Sequence, residues 1–149
     1  DNTEQNRRAY REMLFTTANL GEYINGVILY EETLTQSTQS GTPFVKILKD
    51  QNIIPGIKVD KGLIDFESHT VEKVTQGLDG LPERLATYRE QGAQFAKWRA
   101  VFNISNTLPS MLAVKTNATL LARYAAMCQA QQIVPIVEPE VLIDGNHSI

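Results

Sequence analysis

The chain has 149 residues, 42% hydrophobic and 21% charged, with a formal net charge of -3. That is ordinary globular usage, and it lacks the basic excess of a nucleic-acid binder. No apolar run is long enough to cross a bilayer and no signal-peptide pattern is present, which together predict a cytoplasmic protein without membrane or nucleic-acid partners.

Asn2-Thr3-Glu4-Gln5 has the look of a capping box and opens a helix whose Tyr10, Met13, Leu14 and Thr17 recur at helical spacing, predicting an apolar face. Asn25 to Tyr30 follows as an apolar strand. Thr42-Pro43 starts a short helix carrying Phe44, Ile47 and Leu48, with the proline where a missing N–H costs nothing. Gly56-Ile57-Lys58-Val59-Asp60 is the next strand, and the polar stretch from Leu63 to Thr75 reads as an irregular loop beyond its end.

After Asp79-Gly80, Leu81, Leu85 and Tyr88 share one helical face, and Gly92 ends that helix where positive φ is favoured. Phe95 to Phe102 is a strand. Ser110 caps a longer helix in which Ala113, Asn117, Leu120, Leu121, Tyr124 and Cys128 repeat at three and four. Ile133 to Val141 is the last strand, although Pro135 and Pro139 would each remove a ladder bond from a central position.

One helix, three strand–helix units and a final strand predict an α/β fold with a parallel sheet and crossover helices. That is about half of a (β/α)8 TIM barrel, for which about 250 residues is typical. Residues 1–149 therefore read as a single-domain segment of such a barrel, taken from a longer chain because it opens without methionine and stops in mid-pattern. Four open strands leave two unpaired edges, so the segment alone is expected to be marginally stable.

Three of the strands carry charges at i and i+2: Lys58 with Asp60, Lys97 with Arg99, and Glu138 with Glu140. Alternate side chains on a strand share a face, so each is a same-face pair. One pair alone is by default a solvated strand edge or an ion pair. Three at the ends of successive parallel strands would gather at one end of a sheet, where cations hold phosphate and a carboxylate moves protons. Asp60 stays open between a local ion pair with Lys58 and a substrate role. Trp98 points to the opposite face, towards the core. Cys128, the single cysteine, lies beside Leu121 and Ala125 in the helical pattern and reads as a buried free thiol rather than a nucleophile. His69 and His147 lack ligand partners at useful spacing, so no metal site is expected.

Gly56-Ile57-Lys58-Val59-Asp60-Lys61-Gly62, Thr75-Gln76-Gly77-Leu78-Asp79-Gly80-Leu81, Phe95-Ala96-Lys97-Trp98-Arg99 and Ile133-Val134-Pro135-Ile136-Val137-Glu138-Pro139-Glu140 resemble the class I, Schiff-base fructose-bisphosphate aldolases. Asn6-Arg7-Arg8 and Gly26-Val27-Ile28-Leu29 are similar too, and the resemblance covers essentially the whole chain. It implies a (β/α)8 barrel that cleaves fructose 1,6-bisphosphate reversibly into dihydroxyacetone phosphate and glyceraldehyde 3-phosphate, with no cofactor or metal. It also implies a homo-oligomer, a tetramer. By the same resemblance Glu138 is the main acid/base carboxylate and Lys97 lies beside the bond that breaks. Arg99, Lys58 and Arg7 contact substrate, and Glu140 helps position the reacting groups. The Schiff-base lysine and a first-strand aspartate lie outside this chain, so no lysine here is the expected nucleophile. The loop Asp65 to Val71 departs from the glycine- and threonine-rich loop of animal and plant members. Two other readings stay open: another barrel enzyme acting on a phosphorylated sugar, and a non-catalytic structural or protein-binding fragment.

Overall fold

The computed structural model describes residues 1–66 and 71–148. Helix α1 (Glu4–Phe15) leads into strand β1 (Gly26–Leu29), the short helix α2 (Glu31–Thr35), helix α3 (Phe44–Asp50) and strand β2 (Ile54–Lys58). A ribbon of β3 (Leu63–Asp65) and β4 (Lys73–Thr75) follows. Then come α4 (Leu81–Glu90), β5 (Phe95–Phe102), α5 (Met111–Ala130) and β6 (Val134–Val141). Strands β1, β2, β5 and β6 lie side by side in that order, all parallel. The expected alternation of strands and crossover helices is therefore what the chain forms.

Parity along the strands assigns the two faces. Ile57, Ala96, Trp98 and Ala100 point to the helices and are buried with Leu85, Leu121, Tyr124 and Cys128. Trp98 is fully buried with its ring centroid 5.5 Å from that of Tyr124. Truncating a side chain of this size in a core costs ~3–5 kcal/mol, a large share of the ~5–15 kcal/mol that holds a domain together. A Cβ on Gly56 would lie 2.2 Å from the Phe95 ring, so that ring packs over the glycine in a place that any side chain would force it to leave. Gly92 has φ 107° just beyond the end of α4, as its position in the sequence predicts.

Pro135 and Pro139 are compatible with β6 for a definite reason. The amides of Val134 and Leu142 donate to the carbonyls of Gln94 and Phe102, so even-numbered amides face β5 and odd-numbered ones face away. Both prolines are odd-numbered, and β6 keeps its full register with β5 from Val134 to Val141. The outer edges of β1 and β6 are unpaired among the described residues.

Three expectations need correction. The stretch from Leu63 to Thr75 is not wholly irregular: β3 and β4 pair antiparallel from Leu63 opposite Thr75 to Asp65 opposite Lys73. Three-residue strands are too short to show a period, which is why the sequence pattern misses them. The part of the loop between Phe66 and Val71 lies outside the described residues, as does His69. The strand expected over Gly56 to Asp60 ends at Lys58, so Asp60 lies in the turn beyond β2, and helix α2, which begins directly after β1, left no trace in the pattern.

The third correction concerns α1. Thr3 caps it, accepting from the Asn6 amide at 3.2 Å as expected of a capping residue. Its Tyr10, Met13 and Leu14 are exposed, and Thr17 lies past its end. The helix docks instead through Phe15, edge-on to Phe44 at 5.3 Å, and through arginines. Arg7 and Arg11 both reach Glu32 of α2, at 2.9 and 3.1 Å. Hydrogen bonds from Arg7 and then Arg11 lower the Glu32 carboxyl to about 2. A depressed carboxylate stabilises the folded state above its unfolded pKa, near the reference value of 4.5, and that contribution fades as pH falls towards about 2. In urea titrations of the full-length protein, Glu32→Gln should therefore lower the midpoint at pH 7, with the gap to the parent closing between pH ~4.5 and ~2. A gap of equal size at both ends of that window would contradict this.

Candidate active site

Parity places Gly26 and Ile28, Ile54, Gly56 and Lys58, Phe95, Lys97 and Arg99, and Val134, Ile136, Glu138 and Glu140 on the face opposite the helices. That face changes character along the strands. At the amino ends a groove of about 390 Å³ is lined by Gly26, Ile54, Phe95, Val134 and Ile136. Towards the carboxyl ends the same face carries the charged side chains of Lys58, Lys97, Arg99, Glu138 and Glu140.

Five of the six site residues expected from the sequence meet there. Lys58 is the register partner of Lys97, and Arg99 that of Glu138. The Lys97 Nζ lies 3.3 Å from Glu138 Oε2, and Arg99 Nε lies 3.9 Å from Glu138 Oε1. Arg99 also grips Glu140 with two bonds, one from Nη2 to Oε1 at 2.9 Å and a shorter one from Nε to Oε2. Lys58 Nζ donates to Asp60 Oδ1 at 2.5 Å. Arg7 is the sixth and is not brought to this cluster, since its side chain bonds Glu32 and Asn2.

The two carboxylates of β6 differ in their surroundings. The Arg99 hydrogen bonds, with the charges of Arg99 and Lys97, hold Glu140 below the usual carboxylate range. In return Glu140, and secondarily Glu138 and Asp60, raise the Arg99 guanidinium against the opposing effect of desolvation. Bidentate arginine pairs of this kind fix geometry as well as charge. Glu138 carries no such clamp: its partners are the two longer ion-pair contacts. Lys97 is the most enclosed of the site cations, its side chain 15% exposed.

Some residues that hold the site in place were not legible as such. Thr75 Oγ1 donates to the Arg99 carbonyl at 2.6 Å, tying β4 across the end of β5. Arg84 donates to the carbonyls of Val59 at 3.0 Å and Gly77 at 2.6 Å, fixing the turn that follows β2. Thr75 and Gly77 fall inside one of the strings that carry the resemblance, but no spacing rule assigns them a partner. Lys61, the neighbour of Asp60, turns away to Glu31 at 3.2 Å. Cys128 is buried, and desolvation pushes its thiol up to about 11, which leaves little thiolate at neutral pH. Among the described residues no helix is long and apolar enough to cross a membrane, and no three His, Cys, Asp or Glu side chains are placed to hold a metal ion.

Parallel strands joined by crossover helices, with charged side chains collected at their carboxyl ends, form part of a (β/α)8 barrel. Known proteins agree in detail. A family model described as fructose-bisphosphate aldolase class-I matches residues 1–149, and the chain belongs to that family. It is 56% identical to a probable fructose-bisphosphate aldolase class 1 of Xylella fastidiosa, over all of this chain and 45% of that protein. It is also 56% identical to the cytoplasmic fructose-bisphosphate aldolase isozyme of Spinacia oleracea, over all of this chain and 42% of that one. The solved fructose-bisphosphate aldolase of Plasmodium falciparum superposes with a TM-score of 0.96 at 53% identity, over 99% of this chain and 43% of that chain. The chain thus spans under half the length of the relatives it matches.

Proposed function

We propose that the full-length protein carrying this segment cleaves fructose 1,6-bisphosphate reversibly into dihydroxyacetone phosphate and glyceraldehyde 3-phosphate, through a Schiff base on a lysine outside residues 1–149. The observation that carries this reading is Glu138 set between Lys97 and Arg99 at the carboxyl end of the sheet, in a chain of this family. Residues 1–149 are then one partial-barrel unit of a longer chain. The edges of β1 and β6, unpaired among the described residues, support that, as does an apolar groove of about 530 Å³ between α5 and β6, lined by Phe102, Val114, Leu121, Val137 and Pro139. Further strand–helix units would cover these surfaces.

A retro-aldol step needs an electron sink at the ketone carbon and a base for the hydroxyl that becomes the new carbonyl. Glu138 is assigned the base, because it alone of the two β6 carboxylates is free of the Arg99 clamp. Lys97 is assigned to the reacting centre, where its ammonium stabilises the developing oxyanion. Arg99 and Lys58 are assigned to substrate oxygens, one phosphate among them, with Glu140 fixing the Arg99 plane. Arg7 keeps only a secondary role in substrate binding, at the α1–α2 contact. No cofactor or metal is needed for these steps. The name of the spinach relative supports a cytoplasmic location, and family resemblance a homo-oligomer, a tetramer.

Steady-state kinetics on fructose 1,6-bisphosphate test this. Lys97→Ala in the full-length protein should raise KM and lower kcat together, because it deletes a charge facing the reacting atoms. Lys61→Ala should leave both within about twofold, since that side chain pairs with Glu31 outside the cluster. Equal losses in the two variants would remove Lys97 from its assigned place. Absence of cleavage in the parent protein would overturn the activity itself.

A further inference from the structure

Lys58 and Lys97 are register partners on adjacent parallel strands, on the same face. Neighbouring strands run about 4.8 Å apart, so two ammonium groups at such positions repel unless each has its own counter-charge. The site supplies two. Glu138 takes Lys97 at 3.3 Å, and Asp60 takes Lys58 at 2.5 Å.

The Asp60 pair is the more rigid one. Its carboxylate is buried, with the side chain 4% exposed, and Oδ1 accepts from both Lys58 Nζ and the Gly62 amide at 3.2 Å. The Asp60 carbonyl lies 3.4 Å from the same ammonium, so two of the three N–H groups of Lys58 are directed at one residue. The other oxygen, Oδ2, has no partner among the described residues. A carboxylate this enclosed is tolerated only with a firmly held cation, so the dependence runs both ways.

We propose that Asp60 is a positioning residue of the site: it separates the Lys58 ammonium from Lys97 and aims its remaining N–H at an anionic oxygen of the substrate. This inference rests on the aldolase reading for the identity of the substrate. It acts through Lys58, and Asp60 itself takes no part in proton transfer. It also decides between the two roles that the Lys58–Asp60 spacing leaves open in the sequence, since the ion pair is itself the device that serves the substrate.

A double-mutant cycle in the full-length protein tests it, read as the Kd of hexitol 1,6-bisphosphate, a reduced substrate that cannot be cleaved. Asp60→Asn and Lys58→Met should each weaken binding by roughly tenfold, and the double variant should bind no more weakly than Lys58→Met alone, as expected of two residues acting as a unit. Asp60→Glu moves the ammonium by one methylene and should bind between the parent and Asp60→Asn. It also decides the matter if Asp60→Asn does not fold: parent-like binding by Asp60→Glu would then overturn the proposal. Unchanged binding by Asp60→Asn would overturn it as well, as would losses that multiply in the double variant. Because binding is measured without turnover, a parent protein that binds the bisphosphate but does not cleave the sugar would count against the activity and leave the Asp60 result standing.

Discussion

Glu138→Gln in the full-length protein is expected to lower kcat on fructose 1,6-bisphosphate by about 10²–10⁴-fold, the usual contribution of a positioned acid/base group. Glutamine keeps the shape and the hydrogen-bonding capacity of the side chain and removes only the titrating carboxylate. Glu140 is no substitute, two residues further along the same face, because its bidentate grip on Arg99 holds it in the ionised state. KM should change far less than kcat, since Lys58, Lys97 and Arg99 remain. Stopped and continuous assays of the purified variant give both constants. Near-normal turnover would remove Glu138 from proton transfer and leave this end of the barrel with phosphate binding alone.

Residues 1–149 expressed alone should show no aldol cleavage at any substrate concentration. The five clustered side chains are assigned to holding and polarising a substrate and none of them to the covalent step, and an electron sink at the ketone carbon is indispensable to the reaction. The exposed apolar side chains on the open face and edge, among them Ile28, Ile54, Val134 and Val137, add a second reason, because they predict association of the isolated segment. Cleavage by the segment at more than a trace of the full-length rate would place the nucleophile inside it.

The strand ends were legible because two independent patterns point the same way. Lys97 with Arg99 and Glu138 with Glu140 each sit at a spacing of two on one strand, and a period of two fixes a face without any tertiary information. Asp60 lies past the end of β2 and meets Lys58 through their ion pair instead. Trp98 was assigned to the core by the same parity and is fully buried. The face of α1 was misread because helical spacing finds Tyr10, Met13 and Leu14, whereas the helix is anchored by Arg7 and Arg11 on Glu32, an acid 25 residues from Arg7 in the chain. Ion pairs between distant elements leave no local trace. The β3–β4 ribbon was lost for the opposite reason: its contacts are local, but three residues are too few for alternation to show. Pro135 and Pro139 looked awkward in β6 only until the direction of the ladder was known. Parity would have placed both on one side of the strand, but which side faces β5 is a tertiary fact.

We assign this cluster to the acid/base and phosphate-binding part of an aldolase site, with the nucleophilic lysine elsewhere in the barrel. Reductive trapping tests it most directly: the full-length protein is treated with dihydroxyacetone phosphate and borohydride, digested, and the modified lysine mapped by mass spectrometry. The expected result is one stoichiometric adduct on a lysine outside residues 1–149, with Lys58, Lys61 and Lys97 unmodified. A stoichiometric adduct on any of those three would contradict the account.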